Sequence, residues 1–168
     1  MVLLKDGQTS NDTWQHLNDD DTLPSGPIIV SVTRWHRDRA SLAARNMPLG
    51  LQFDAGVEPA DVADDLHRFS VICLQFDSFT DGRPYSQARL LRERYGYRGE
   101  LRARGNILRD QFDFMRRCGI DALEVTKEAD ARAWQDAVAE IDIYYQPAGD
   151  TRPTVAMYRR GAAASYPI

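Results

Sequence analysis

The tetrapeptide LQFD occurs at Leu51–Asp54 and again at Leu74–Asp77, and each copy alternates apolar with polar side chains. Similar alternation runs through Ile28–Thr33, Leu101–Arg104, Ala122–Thr126 and Ile141–Tyr145. A period of two predicts strands with one dry and one wet face. Helical spacing fills the intervals. Ala88, Leu91 and Tyr95 share a face within Pro84–Tyr95, and Leu108, Phe112 and Met115 share another, with Gly119 placed to end that helix. Pro59 opens a third helix, where its missing N–H is harmless, and KEADARAWQDAVAEI at 127–141 reads as a fourth. Strand then helix, repeated, predicts βα units on a mainly parallel sheet.

The dry face would carry Val30, Val32, Leu51, Phe53, Leu74, Phe76, Leu101, Ala103, Leu123 and Val125. The other face would carry Gln52, Asp54, Gln75, Asp77, Arg102, Arg104 and Glu124. Parallel strands covered on both sides read as continuous apolar runs, and these do not. Right-handed crossovers taken in sequential order put all helices on one side. The pattern therefore predicts a curved, partly barrel-like sheet of five or six strands with helices outside and polar groups in the hollow. At 168 residues the chain falls short of a complete eight-unit barrel, which takes roughly 200 or more. A small doubly wound sheet is the alternative.

One domain is expected, with an N-terminal β-hairpin and linker (1–26), a βα-repeat core (27–146) and a flexible tail (147–168). The hairpin would turn at Asp6–Gly7 with Trp14 as its apolar anchor, so terminal segments or a second subunit, as in a homodimer, would close the hollow. No stretch is long and apolar enough to span a bilayer and no basic-then-apolar leader is present, which places the expected protein in the cytoplasm, away from membranes. Cys73 and Cys118 read as reduced packing residues. A net charge of −4 advertises no nucleic-acid partner, yet Arg89–Arg117 holds nine arginines against four acidic residues, a local +5. Such asymmetry suits an anion or an acidic partner, although arginines coating outer helix faces would give the same count.

Functional groups of parallel α/β folds collect at the C-terminal strand ends. Those ends here offer Thr33, Arg34, Trp35 and His36, then Asp54, then Asp77, Asp81 and Arg83, then Arg104 and Asn106, then Thr126 and Lys127. Asp54, Asp77, Asp81 and His36 are the candidates for acid–base or ligand chemistry. Asp54 and Asp77, at equivalent places in the repeat, could share a cation or a proton, or could each pair with an interior arginine such as Arg104. Arg83, Arg102, Arg104 and Arg109 are candidates for anion binding, with Asn106 capping the helix that follows. No metal set or cofactor is assigned, since GxGxxG, P-loop, HExxH and CxxC motifs are absent.

The segment FDSFTDGRPYSQARLLRERYGYRGELRARGNILRDQFDFMRRCGIDALEV carries three patterns. They are D-G-R-x-Y-S-x-A at Asp81–Ala88, L-R-x-x-G at Leu101–Gly105 and D-Q-x-x-x-M-x-R-x-G at Asp110–Gly119. With the weaker DDDTLPSGPIIVSVTRW lead, this resembles a bacterial domain-of-unknown-function family, number 934. Its members are often labelled oxidoreductases involved in sulfite reduction and are commonly encoded beside sulfite reductase. Tyr85, Ser86, Asp110 and Gln111 are motif positions alongside Asp81, Arg83 and Arg104. The resemblance implies a role in assimilatory sulfite reduction, either as an accessory protein that binds sulfite reductase or an acidic electron carrier, or as a small enzyme or anion-binding domain acting on a sulfur oxyanion. Two cysteines do not supply the four thiolates of an iron–sulfur cluster.

Overall fold

The computed structural model describes residues 2–5, 8–125, 144, 145, 154, 155, 157 and 159. The helix expected at 127–141, with Thr126 and Lys127 and most of 147–168, lies outside them. The strand expected at Ile141–Tyr145 is described only at Tyr144 and Tyr145, where Tyr144 makes a parallel bridge to Thr154.

The chain order is β1 (Val2–Lys5), β2 (Gln8–Ser10), β3 (Gln15–His16), β4 (Ile28–Ser31), α1 (Val32–Ala43), β5 (Leu49–Phe53), a 3-10 helix (Pro59–Arg68), β6 (Val71–Phe76), α2 (Arg83–Arg89) with a π turn (Leu90–Arg94), β7 (Glu100–Gly105), a 3-10 turn (Arg109–Gln111), α3 (Phe112–Arg117) and β8 (Ala122–Val125). The strands form one sheet in the order β2-β1-β8-β7-β6-β5-β4-β3. From β3 to β8 every pairing is parallel, while β1 joins β8 and β2 antiparallel. Among the described residues the sheet thus has eight strands, more than the five or six read from the sequence, because the N-terminal hairpin extends it beyond β8 and β3 adds a strand beside β4. The strand order never reverses, as a doubly wound sheet would require.

The sheet is a curled half-barrel. One contact shows how strongly it bends: His16 Nε2 on β3 lies 2.8 Å from Glu124 Oε1 on β8. Five strand steps separate them, so a flat sheet would hold their backbones roughly 24 Å apart at about 4.8 Å per step. Sequential right-handed crossovers leave the helices on the convex side. There Val30, Leu51, Phe53, Leu74, Phe76, Leu101, Ala103, Leu123 and Val125 pack with Trp35, Leu42, Val62, Leu66, Ala88, Leu91, Phe112 and Met115. The opposite face carries a small apolar cluster, Ile29, Val71 and Cys73 under Trp14.

Local chemistry sets the element ends. Ser31 Oγ accepts from Arg34 N at 2.9 Å, an N-cap that starts α1 directly after β4. Thr33, Arg34, Trp35 and His36 therefore sit in a helix and not in a strand-end loop, which corrects the sequence reading. Trp35 is buried, packs edge-on to Phe69 at 5.0 Å and donates through Nε1 to Asp65. Arg39 and Arg68 also pair with Asp65. Burial on its own would raise the Asp65 pKa, but the hydrogen bonds from Arg39 and Trp35 hold it below the ordinary value. A carboxylate depressed in the fold contributes stability above its unfolded pKa of about 3.9 and loses it as pH falls through the lower folded value. Acid titration of urea stability should therefore steepen below about pH 4, and Asp65→Asn should flatten that limb.

Candidate functional site

Side chains at alternate positions of 11–16 lie across the hollow. Asp12 Oδ2 accepts from Arg102 Nη1 at 2.9 Å, Trp14 covers Ile29, Val71 and Cys73, and His16 meets Glu124. Gly50 makes room for this strap: a Cβ there would stand 2.8 Å from Ile29 Cγ1 and 3.3 Å from the Trp14 ring. Beneath it, Arg102 is fully buried. It donates to Glu124 Oε1 at 2.9 Å and to Glu100 Oε1 through Nε at 3.0 Å and Nη2 at 2.9 Å. Burial pushes its pKa down, yet the Glu124 hydrogen bond and the charges of Glu100 and Asp12 outweigh burial and hold it above the usual arginine range. Burial would likewise neutralise Glu124, but His16 and Arg102 keep its pKa below the ordinary glutamate value.

Arg104 lines the same face, 3.5 Å from Glu124 Oε2 and 3.4 Å from Gln52 Oε1. Gln52 Nε2 in turn donates to Asp54 at 3.0 Å. One ring nitrogen of His16, Cys73 Sγ and a Glu124 carboxylate oxygen lie within 4.8 Å of one another. Burial, then the Glu124 charge, pushes the Cys73 thiol well up. A protonated, enclosed thiol is a poor nucleophile, so proximity to His16 and Glu124 does not make a catalytic triad.

The sequence candidates divide between two places. Arg102, Arg104 and Asp54 belong to the hollow or its mouth. Asp77 does not join them, because β5 and β6 pair as Gln52↔Cys73 and Phe53↔Leu74, which sets Asp54 level with Gln75. Asp77 lies two residues further out, exposed. The equivalence suggested by the LQFD repeat thus fails on register. Arg83 is exposed and held by Asp81 through Nε at 2.9 Å and Nη2 at 2.7 Å. His36 is exposed on α1, on the outer side of the sheet. Asn106 caps no helix: its N–H donates to Phe76 O at 2.8 Å, and the following 3-10 turn begins only at Arg109, with Leu108 as its N-cap.

The motif residues build a second, outward-facing arrangement at the ends of β6 and β7. Gln111 ties two loops together, its Oε1 accepting from Leu108 N at 3.1 Å and its Nε2 donating to Phe79 O at 2.6 Å. Tyr85 stands between Phe76, at 5.2 Å between ring centres, and Phe114, at 4.9 Å. Burial raises its hydroxyl pKa to about 12. Three large apolar side chains remain exposed on this frame: Phe79 at 48%, Leu108 at 40% and Phe114 at 55%. Arg83 and Arg109 are exposed beside them in sequence, as is Asp110. An open groove of about 460 Å³ on α2 and its π turn is lined by Ser86, Arg89, Leu90, Glu93 and Arg94.

A protein-family model described as "Bacterial protein of unknown function (DUF934)" matches residues 50–156. The chain belongs to this family. A comparison with curated proteins gives no match. The DUF934 match takes in Cys73, Arg102, Glu124 and the whole exposed frame, whereas Asp12, Trp14 and His16 lie before it. Sequence reasoning put Glu124 on the polar face and read Cys73 as a packing residue, but named neither of them, nor His16 or the exposed aromatics, as site candidates. The available signal was the alternation Asp12, Trp14, His16, which puts all three on one face of an extended segment.

Proposed function

We propose that this DUF934 domain is an accessory protein of assimilatory sulfite reduction that docks an acidic partner, sulfite reductase or an electron carrier, through the frame at the ends of β6 and β7. The observation that carries this reading is the exposure of Phe79 and Leu108 on loops tied by Gln111 and of Phe114 on α3 against Tyr85, with the exposed Arg109 at hand. Aromatic and arginine side chains are enriched in interface cores, and anchors that are already ordered lose little entropy on binding. The arginine-rich segment contributes less than its +5 suggests. Arg92 is spent on the carbonyls of Gly119, Tyr97 and Gly99 and on Asp121, and Arg102 is buried. Arg109, by contrast, is exposed.

In a pull-down of purified sulfite reductase or an acidic carrier, the wild-type chain should bind at low salt and release as salt rises. Phe79→Ser/Phe114→Ser should weaken binding about tenfold or more. Arg109→Ala should slow association and flatten the salt dependence, and His36→Ala should leave binding unchanged. Absence of binding at low salt, or full binding by the double variant, defeats the reading. A second reading, anion binding at the mouth of the hollow, draws on Arg104, whose side chain is 28% exposed and only loosely engaged by Gln52 and Glu124. Free sulfite that binds the chain alone, and fails to bind Arg104→Gln, would favour it.

A further inference from the structure

We propose that His16, Cys73 and Glu124 form a binding site for a divalent transition-metal ion of the zinc class, a site independent of the docking surface. The three residues come from β3, β6 and β8, and only the curl of the sheet brings them together. Their potential donor atoms lie within 4.8 Å of one another. Zinc bonds of about 2.0–2.3 Å set donor separations of roughly 3.3–3.8 Å around a tetrahedral ion, so closure takes about 1 Å of side-chain adjustment. One imidazole, one thiol and one carboxylate suit a borderline-soft ion and not magnesium or calcium, which take oxygen ligands.

A second observation points to a missing partner. His16 Nδ1 is buried without a hydrogen bond, and so is Glu124 Oε2, which has the Arg104 guanidinium 3.5 Å away but accepts no hydrogen bond from it; the Glu124 side chain is only 2% exposed. Buried polar atoms left unsatisfied are rare and costly. The surroundings have the form of an outer shell. Arg102 hydrogen-bonds the Glu124 carboxylate, and Glu100 and Asp12 hold Arg102 in turn. Such partners orient ligating carboxylates. The carboxylates of Glu124, Glu100 and Asp12 outnumber the guanidiniums of Arg102 and Arg104 beside them, three to two, so the cluster does not repel a cation.

Binding forms a metal–sulfur bond as the Cys73 S–H bond breaks, and the proton leaves to water with no change of oxidation state. Three protein donors leave a fourth position for water or an exogenous ligand, as in zinc sites that keep an open coordination position. The ion would also tie β3 to β6 and β8, fixing the strap over the hollow.

Titration of the full chain with Co²⁺ tests the site. The wild type should develop a thiolate-to-cobalt charge-transfer band that saturates at one ion per chain and is bleached by Zn²⁺. Cys73→Ala should abolish the band and Cys118→Ala should keep it. His16→Gln and Glu124→Gln should each weaken Co²⁺ binding by more than the roughly 10–100-fold that loss of an outer partner costs. Circular dichroism identifies any variant that has failed to fold. If Glu124→Gln does so, His16→Gln carries the comparison, since its ring is partly exposed. A folded wild type without the band, or a band that survives Cys73→Ala, overturns the proposal.

Discussion

Arg102→Met is expected to cost about 3–5 kcal/mol of folding stability, because it removes the cation from a buried group of carboxylates. Arg102 is fully buried, and its partners Glu124 and Glu100 expose only 2% and 13% of their side chains. Methionine fills much of the same volume but donates no hydrogen bond, so the loss reads the charge network and not a cavity. Bonds to Asp12, Glu100 and Glu124 disappear together. Urea unfolding at neutral pH measures the loss. Adding Glu124→Gln should recover part of it, since the most deeply buried charge then goes too, and the coupling between the two sites should lie near 0.5–3 kcal/mol. A single variant as stable as the wild type would mean that water, not Arg102, satisfies those carboxylates.

The same residue shows how far the sequence can be read. Arg102 is placed on the hollow face by alternation alone, as are Glu124 and Gln52, because a strand has only two sides. Its partner Asp12 was not legible. Asp12 is 90 residues away in the chain, and it arrives only through a strap that runs into a two-residue strand, β3. Two residues hold too little pattern to announce a strand. Register was equally hidden. LQFD repeats in sequence, yet the stagger that accompanies curling places Asp54 opposite Gln75, so identical tetrapeptides occupy different levels. Charge showed the same split between total and destination. The excess of arginine from Arg89 to Arg117 is plain, but Arg92 turns inward to three carbonyls and Arg102 to three carboxylates. The exposed frame was visible as a motif, though not as a surface. Whether Phe79 and Leu108 face solvent depends on how Gln111 draws their loops together.

Gly105→Ala is expected to be nearly as damaging as loss of Arg102, although it adds a single carbon. Gly105 ends β7 with φ at +103°, a conformation that side-chain-bearing residues rarely adopt. Strain of that kind costs about 1–3 kcal/mol. An added Cβ would also stand 2.4 Å from Phe76 O and 2.8 Å from Gln75 Nε2. The nearer obstacle is backbone, so it cannot rotate away, and overpacking adds about 1–3 kcal/mol more. Phe76 O is the acceptor for Asn106 N at 2.8 Å, the bond that starts the turn toward Leu108. Displacing it separates the ends of β6 and β7, on which Phe79 and Leu108 are carried. The variant should therefore melt roughly 5–15 °C below the wild type, at about 2–4 °C per kcal/mol for a chain of this size. It should also bind the proposed acidic partner more weakly at temperatures where it is still folded. Gly82→Ala is the matched comparison: its φ is −84° and its Cβ would meet nothing within 4 Å, so both readouts should stay near wild type. Equal melting of the two variants would show that the β7 end relaxes freely, and the frame would then lack the rigidity on which the proposed docking depends.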